Sequence, residues 1–402
     1  MAGALSDVKI VELGELVAAP YASKLMADMG AEVIKIERPG IGDRARIRGP
    51  FPKDEAHPEK SGLFLYLNTN KLGVTLDIAT AEGFEIFEKL IAGADILIHN
   101  VIPLEMDRVG LTYDRLKKIN PKLIMTSITP WGLEGPYRNW RAEDLTIWAA
   151  GGVCVLNGGG PAHADLPPLK AFGSQSGFQG GVYGAVATMA ALFARLRDGE
   201  GQHIDAPMQE AIAVQLEMTF EYWPYMKMIA TRLGQKPLQP AETFMCKDGY
   251  LYVLCIEEHQ WQNVLHMMGD PEWGGEEIFA NRLVRAQNWD VLRPILEEYI
   301  SQHTVLDLYK MAQARRIPFA PVSTMGTLLS NEHLKARGFF VEIAQPVAGT
   351  HKYPGAPLKY EKTPWEIRIP APTLGQHNEL VYGGRLGITP ARLSELKRNG
   401  VI

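Results

Sequence analysis

The alternation of short apolar runs with helically spaced ones constrains the first third of this chain more than any other feature. Residues 8–13 form an apolar run ended by Gly14, residues 20–29 carry apolar side chains at helical spacing until Gly30, and residues 31–37 alternate like a strand. The order recurs at 74–78, 81–91 and 95–99, and again at 113–119 and 123–128. Strands separated by helices at this pitch run parallel in one sheet, and a parallel sheet is stable when helices cover both of its faces. The expected fold is therefore α/β, with a large Rossmann-like parallel-sheet domain. No Gly-x-Gly-x-x-Gly follows the first run, so an ordinary dinucleotide-binding turn is not expected.

Further along, residues 180–196 read as a helix rich in small residues, and Pro207 suits the first turn of another. The texture changes near residue 222. A loop through Pro237 and Pro240 leads to a hairpin at 244–255, turning at Lys247-Asp248-Gly249, and helical patterns follow at 259–268, 291–303 and 305–315. The expected organisation is a large domain begun by residues 1–224, a smaller α+β domain at 225–325, and a segment at 326–402 that returns to the large domain. That segment is proline-rich between Pro346 and Pro372 and ends in a short helix at 390–397.

With 402 residues, 46% of them hydrophobic, the chain can bury a large core. Its net charge of -5 and pI near 6.1 come from mixed charges, so neither nucleic acid nor an anionic membrane is expected as a partner. Cys154, Cys246 and Cys255 form no C-x-x-C pair, which suits a reduced cytoplasm, and the N-terminus has no leader-like pattern. His99 and His377 lack metal-ligand spacing and read as hydrogen-bonded structural residues, so no metal is expected.

An ordered series of motifs runs along the chain. It includes Val11-Glu12-Leu13-Gly14, Ala18-Ala19-Pro20, the block from Leu25 to Pro39, Gly42-Asp43 with Arg46, Asn68-Thr69-Asn70-Lys71, Arg108-Val109-Gly110-Leu111, Gly135-Pro136-Tyr137, Ala336-Arg337-Gly338 and Leu374-Gly375-Gln376-His377. In this order they resemble the family III CoA-transferases. The resemblance implies a ligand, coenzyme A or an acyl-CoA, whose phosphates need cations and backbone donors beside an apolar slot. Arg38, Lys71 and Arg108 match the basic positions of the family's CoA site; Asn100 matches an amide and Tyr137 an aromatic group beside it. Strand ends of an open parallel sheet are the expected location. The resemblance also implies an interlocked dimer, two rings each threaded by the other chain.

In the family an aspartate attacks the acyl thioester, giving a mixed anhydride and CoA thiolate, and the thiolate passes by way of that aspartate to an acceptor carboxylate. Here no carboxylate lies between Asp165 and Asp198. Counting back from Ala190-Ala191-Leu192 puts Gly177 at the nucleophile position; counting forward from Pro167-Pro168-Leu169 puts Ser174 there. Neither is an acid, and a serine ester is too stable for the relay.

Other positions also depart from the pattern. Glu143 stands before Asp144 where related racemases carry histidine, so racemase chemistry is not expected. The family's glycine-rich active-site loop is reduced to Gly234-Gln235-Lys236-Pro237, and Val17 replaces an amide. Asp144 reads as a residue capping or pairing within the helix that follows it. Trp131, Trp140, Trp148, Phe172, Phe178 and Trp223 fall in segments that the family places around its active site.

The resemblance thus implies the non-catalytic subunit of a two-chain enzyme. It would move CoA from succinyl-CoA to an organic acid, an arylsuccinate such as benzylsuccinate, with an Asp-bearing paralogous subunit as partner. A CoA-binding pseudoenzyme that stabilises a partner, and a homodimer using Asp144 or Ser174, are the competing readings.

Overall fold

The computed structural model describes residues 3–158, 164–233 and 239–402. The expected loop Gly234-Gln235-Lys236-Pro237 and the glycine pair Gly159-Gly160 lie outside them. Two compact units result: one from Met1–Gly158, Leu166–Thr231 and Phe339–Ile402, the other chiefly from Arg232–Gly338.

In the larger unit the elements run β1 (Lys9–Leu13), α1 (Ala18–Asp28), β2 (Glu32–Glu37), α2 (Gly62–Leu67), β3 (Lys71–Thr75), α3 (Ala81–Ala92), β4 (Ile96–His99), α4 (Pro103–Val109), α5 (Tyr113–Ile119), β5 (Ile124–Ser127), α6 (Asp144–Ala150), α7 (Gln175–Asp198), β6 (His203–Asp205), α8 (Met208–Ala213) and α9 (Glu217–Met226). All six strands pair in parallel in the order β3-β2-β1-β4-β5-β6. The strand order reverses between β1 and β4, and such a switch point opens a crevice at the carboxyl ends of the strands. Alternate residues feed two cores. Leu97 and Met125 pack with Phe87, Leu90 and Ile91 of α3 on one face, while Ile96, Ile98 and Ile124 pack with Ala22 and Met26 of α1 and Leu192 of α7 on the other.

By length and composition α7 could cross a bilayer. Its small residues nevertheless have a packing use: a Cβ on Gly184 would fall 2.4 Å from Cδ1 of Ile128, the residue after β5, so only glycine lets α7 approach it this closely.

The smaller unit pairs β7 (Ala241–Met245), β8 (Tyr250–Leu254) and β9 (Ala320–Pro321) antiparallel. Around them come α10 (Glu258–Met267), α11 (Arg282–Gln287), α12 (Trp289–Ser301), α13 (Val305–Ala314), α14 (Met325–Ser330) and α15 (Glu332–Ala336). Phe244, Trp261, Leu292 and Leu308 lie in its core.

The chain then returns to the larger unit as a hairpin, β10 (Phe340–Gln345) and β11 (Gly349–Pro354), and ends in α16 (Pro390–Arg398). Between them the chain closes the exposed edge of β3. His377 Nδ1 accepts from Gly73 N at 3.0 Å, Asn378 Oδ1 accepts from Thr75 N at 2.9 Å, and the Tyr382 hydroxyl donates to Thr75 O at 2.9 Å. Covering an edge in this way removes a template for unwanted pairing.

Strand β3 starts three residues before the expected 74–78 run. Its first residue, Lys71, is fully buried and pairs in register with Val33, so its charge hid the strand start from a search for apolar runs. Lys71 Nζ lies 2.7 Å from Glu12 Oε2 and donates to Pro20 O and Asn68 Oδ1. Glu12 Oε1 also pairs with Lys35 at 2.8 Å, and Lys35 reaches Asp43 at 2.9 Å; all four side chains are buried. Beside them Arg46 is clamped between Glu37 at 2.7 Å and Glu59 at 2.6 Å, its guanidinium 3.7 Å over the Phe64 ring.

Burial alone would push the Glu12 carboxyl up, but Lys35 and Lys71 outweigh it and hold the group at about 2 rather than 4.5. Burial lowers Lys71 to about 8 against the pull of Glu12, with Lys35 and Lys24 adding like charge. A group depressed in the folded state adds stability that is complete above its unfolded value and is lost as pH falls. Melts taken from about pH 5 down to about pH 2 should therefore show Tm falling more steeply for the native chain than for Glu12→Gln. The variant starts lower, because breaking a buried pair costs about 3–5 kcal/mol. Parallel pH slopes would contradict the assignment.

Candidate functional site

The turn joining β1 to α1 is fixed by side chains from neighbouring strand ends. Lys35 Nζ donates to Gly14 O at 2.8 Å. Asn100, just after β4, accepts from Glu15 N at 2.9 Å and donates to Glu15 O at 2.7 Å. Asp43 accepts from Leu16 N at 2.8 Å, and Leu16 is held at φ 61°, a left-handed conformation unusual for leucine. Three successive residues, Gly14 to Leu16, are thereby fixed at the strand-order switch.

A cavity of about 680 Å³ opens there, lined among others by Gly14, Glu15, Arg38, Arg44, Asn100 and Arg108. Of the expected CoA-contacting residues, the structure brings Arg38, Asn100 and Arg108 to this cavity. Asn100 spends its amide on the Glu15 backbone and so shapes the turn. Lys71 is not among the lining residues: it lies in the buried cluster and supports the turn from below through Glu12. Tyr137 also lies apart from the lining. It stacks on Trp140 with ring centroids 4.0 Å apart, and its loop is tied to α4 by Arg138 and Asp107 at 2.9 Å.

Trp131 joins this pair, edge-on to Tyr137 at 6.2 Å and donating to Trp140 O at 3.1 Å, but the remaining aromatic residues do not converge on it. Trp148 is buried, Phe172 is 98% exposed, and Phe178 packs edge-on against Tyr21. Sequence reading missed Arg44, which pairs with Glu15 at 2.7 Å. Arg44 opens a short 3-10 turn (Arg44–Ile47) that is too brief to carry periodicity; its neighbours Gly42-Asp43 were the available signal.

Val17, the last residue of that turn, and Ala18, the first of α1, meet the start of α7. Ser174 holds the N-cap position of α7 but makes no side-chain cap, and Gly177 is the third helical residue. Helix α7 is continuous from Gly177 to Ala190, so the count back from Ala190 is rigid, whereas the count from Pro168 crosses irregular chain. A Cβ on Gly177 would lie 2.9 Å from Val17 Cβ and 3.7 Å from Ala18 N. A side chain at position 177 would collide with Val17.

The carboxylate at the α7 N-terminus belongs to Asp144. This corrects the expectation that Asp144 caps or pairs within its own helix. Its Oδ1 accepts from Ser176 N at 2.8 Å and Gly177 N at 3.2 Å, and its Oδ2 pairs with Lys170 at 2.7 Å. The helix dipole favours an anion there, and both oxygens are engaged, which makes it a poor nucleophile. His99, expected to be structural, is buried with Nε2 2.7 Å from Ser127 Oγ, and burial holds its imidazole down at about 3. Among the described residues no cluster of His, Cys, Asp or Glu could hold a metal ion.

Comparison with known proteins gives this arrangement its context. Residues 5–378 match CoA-transferase family III. The chain is a member of that family. It is 30% identical to the formyl-CoA:oxalate CoA-transferase of Streptomyces coelicolor across 100% of both chains. It is also 30% identical to the succinyl-CoA:(R)-benzylsuccinate CoA-transferase subunit BbsE of Thauera aromatica, across 99% of this chain and 98% of that one. A CaiB/BaiF family protein from Brucella suis superposes with a TM-score of 0.84 at 29% identity, covering 96% of this chain and all of the other. Family III enzymes use CoA thioesters as substrates.

The Val17–Gly177 contact makes a signed prediction. In an open helix Gly→Ala stabilises by about 0.5–1 kcal/mol, whereas overpacking destabilises by about 1–3 kcal/mol. Gly177→Ala should therefore lower stability in the native chain, and do so by at least about 1 kcal/mol less in a Val17→Gly background, which removes the Cβ that it meets. Denaturant unfolding of the four proteins measures the difference; strictly additive effects would contradict the contact.

Proposed function

We propose that this chain is the subunit of a family III CoA-transferase that does not carry the nucleophile. The enzyme moves CoA from succinyl-CoA to an organic acid, an arylsuccinate such as benzylsuccinate, and the attacking aspartate belongs to a paralogous partner subunit. The observation that carries the reading is the start of α7, where position 177 is a glycine with Val17 in the way of any side chain. The nearby acid, Asp144, is consumed by two backbone amides and Lys170. The likeness to a named subunit acting on (R)-benzylsuccinate supports the substrate class.

In this reading Arg38 and Arg108 hold the phosphates of CoA at the cavity, Asn100 and Lys71 fix the turn beneath them, and Tyr137 stands beside the acyl group. The partner's aspartate attacks the thioester carbonyl, giving a succinyl-aspartyl anhydride and CoA thiolate, and the thiolate then attacks the aspartyl carbonyl and expels succinate. The acceptor carboxylate displaces the thiolate from this aspartyl thioester to form a second anhydride, and the thiolate takes the acceptor acyl group and frees the aspartate. This chain supplies structure and half of an interlocked dimer.

Uncovered apolar surface supports the dimer. On α7, Val186 (62%), Phe193 (76%) and Leu196 (79%) are exposed, as are Phe220 (66%), Trp223 (54%) and Tyr225 (82%) on α9. Apolar patches of this kind mark contact surfaces.

Purified alone with succinyl-CoA and benzylsuccinate, the chain should transfer no CoA, and activity should appear on mixing or co-expression with an Asp-bearing paralogue. Transfer at full rate by the isolated chain would overturn the proposal.

A further inference from the structure

The arginines of the cavity face carboxylates of their own chain. Arg108 pairs with Glu105 at 2.7 Å on the surface of α4; both side chains are largely free to swing away, and such a helical pair is weak. Glu15 differs. Its Oε2 lies 2.7 Å from Arg44 Nε and its Oε1 3.8 Å from Arg38 Nε, so one carboxylate serves two arginines. Its backbone is gripped on both sides by Asn100, and the next residue is held by Asp43. The turn cannot carry this acid away from the cavity mouth without breaking those bonds.

From this geometry we infer that Glu15 is a specificity-determining residue of the anion site. Its carboxylate holds the place between Arg38 and Arg44 that a phosphoryl group of the nucleotide carrier must take, and so sets how tightly this chain binds that carrier. The inference rests on the reading of the cavity as the CoA site, and it names the residue that tunes that site. An entering phosphate has to displace Glu15 from both arginines or lie beside it. In the first case two ion pairs are exchanged for two others, with little net gain. In the second, like charges meet at contact distance, which in water changes an equilibrium by about fivefold per pair. In either case a neutral side chain of the same shape at position 15 frees both arginines.

Isothermal titration of the full chain with CoA in low-salt buffer tests the inference, using the native protein, Glu15→Gln and Arg108→Ala. Glu15→Gln should bind CoA about five- to tenfold more tightly. Added salt should erode that gain, because exposed charges are screened. Arg108→Ala should bind more weakly. If Arg108→Ala weakens binding while Glu15→Gln leaves it equal to or weaker than that of the native chain, the inference fails and the cavity remains the CoA site. If neither substitution changes CoA affinity, or none of the three proteins binds CoA, the reading of the cavity falls and takes the inference with it. Equal melting temperatures for the native chain and Glu15→Gln would show that the affinity change is not a folding effect.

Discussion

The ion pairs that bury Glu12 between Lys35 and Lys71 hold the rest of this molecule in place. A carboxylate taken out of water without partners is strongly unfavourable, so the three strands that supply this cluster must keep their register or leave a charge unpaired. Lys35 extends the cluster to Asp43 and to the Gly14 carbonyl, and Asp43 in turn holds Leu16 in its left-handed conformation. The β1–α1 turn is thereby fixed by groups that cannot rearrange cheaply. Both functional features depend on that turn: Gly14 and Glu15 face the cavity, and Val17 faces the start of α7.

That shared turn joins the start of α7 to the cavity. The side of the turn that would receive a nucleophile is filled by Val17, and the α7 amides that an acid could use are occupied by Asp144. The other side still presents arginines at the switch point of a parallel sheet, where ligands of this fold class bind. On the function proposed above, a chain built in this way would present a CoA-sized cavity and dock a partner, and the covalent step would fall to that partner.

Much of this was legible in the sequence. Strand and helix alternation gave the parallel sheet, because apolar periodicity reports burial directly, and the hairpin at Lys247-Asp248-Gly249 appears as β7 and β8. The misses share one physical cause, dependence on distant partners. Lys71 reads as a cation of the CoA site until Glu12, 59 positions earlier in the chain, is seen beside it. Asp144 reads as a cap for its own helix until α7 is seen resting on its carboxylate. Glu15 carries no pattern and Arg44 only its place after Gly42-Asp43, and both acquire meaning from their pairing over the cavity. Motif spacing left Ser174 and Gly177 both open, because spacing does not show that the chain from Gly177 to Ala190 is helical while that from Pro168 to Ser174 is irregular.

The central claim is that the covalent acyl group never resides on this chain. Intact-protein and peptide mass spectrometry of the reconstituted enzyme, quenched during turnover with succinyl-CoA, tests this directly. The account predicts a succinyl mass increment on an aspartate of the partner subunit and none on this one; an adduct on Asp144, Ser174 or any other side chain of this chain would contradict it.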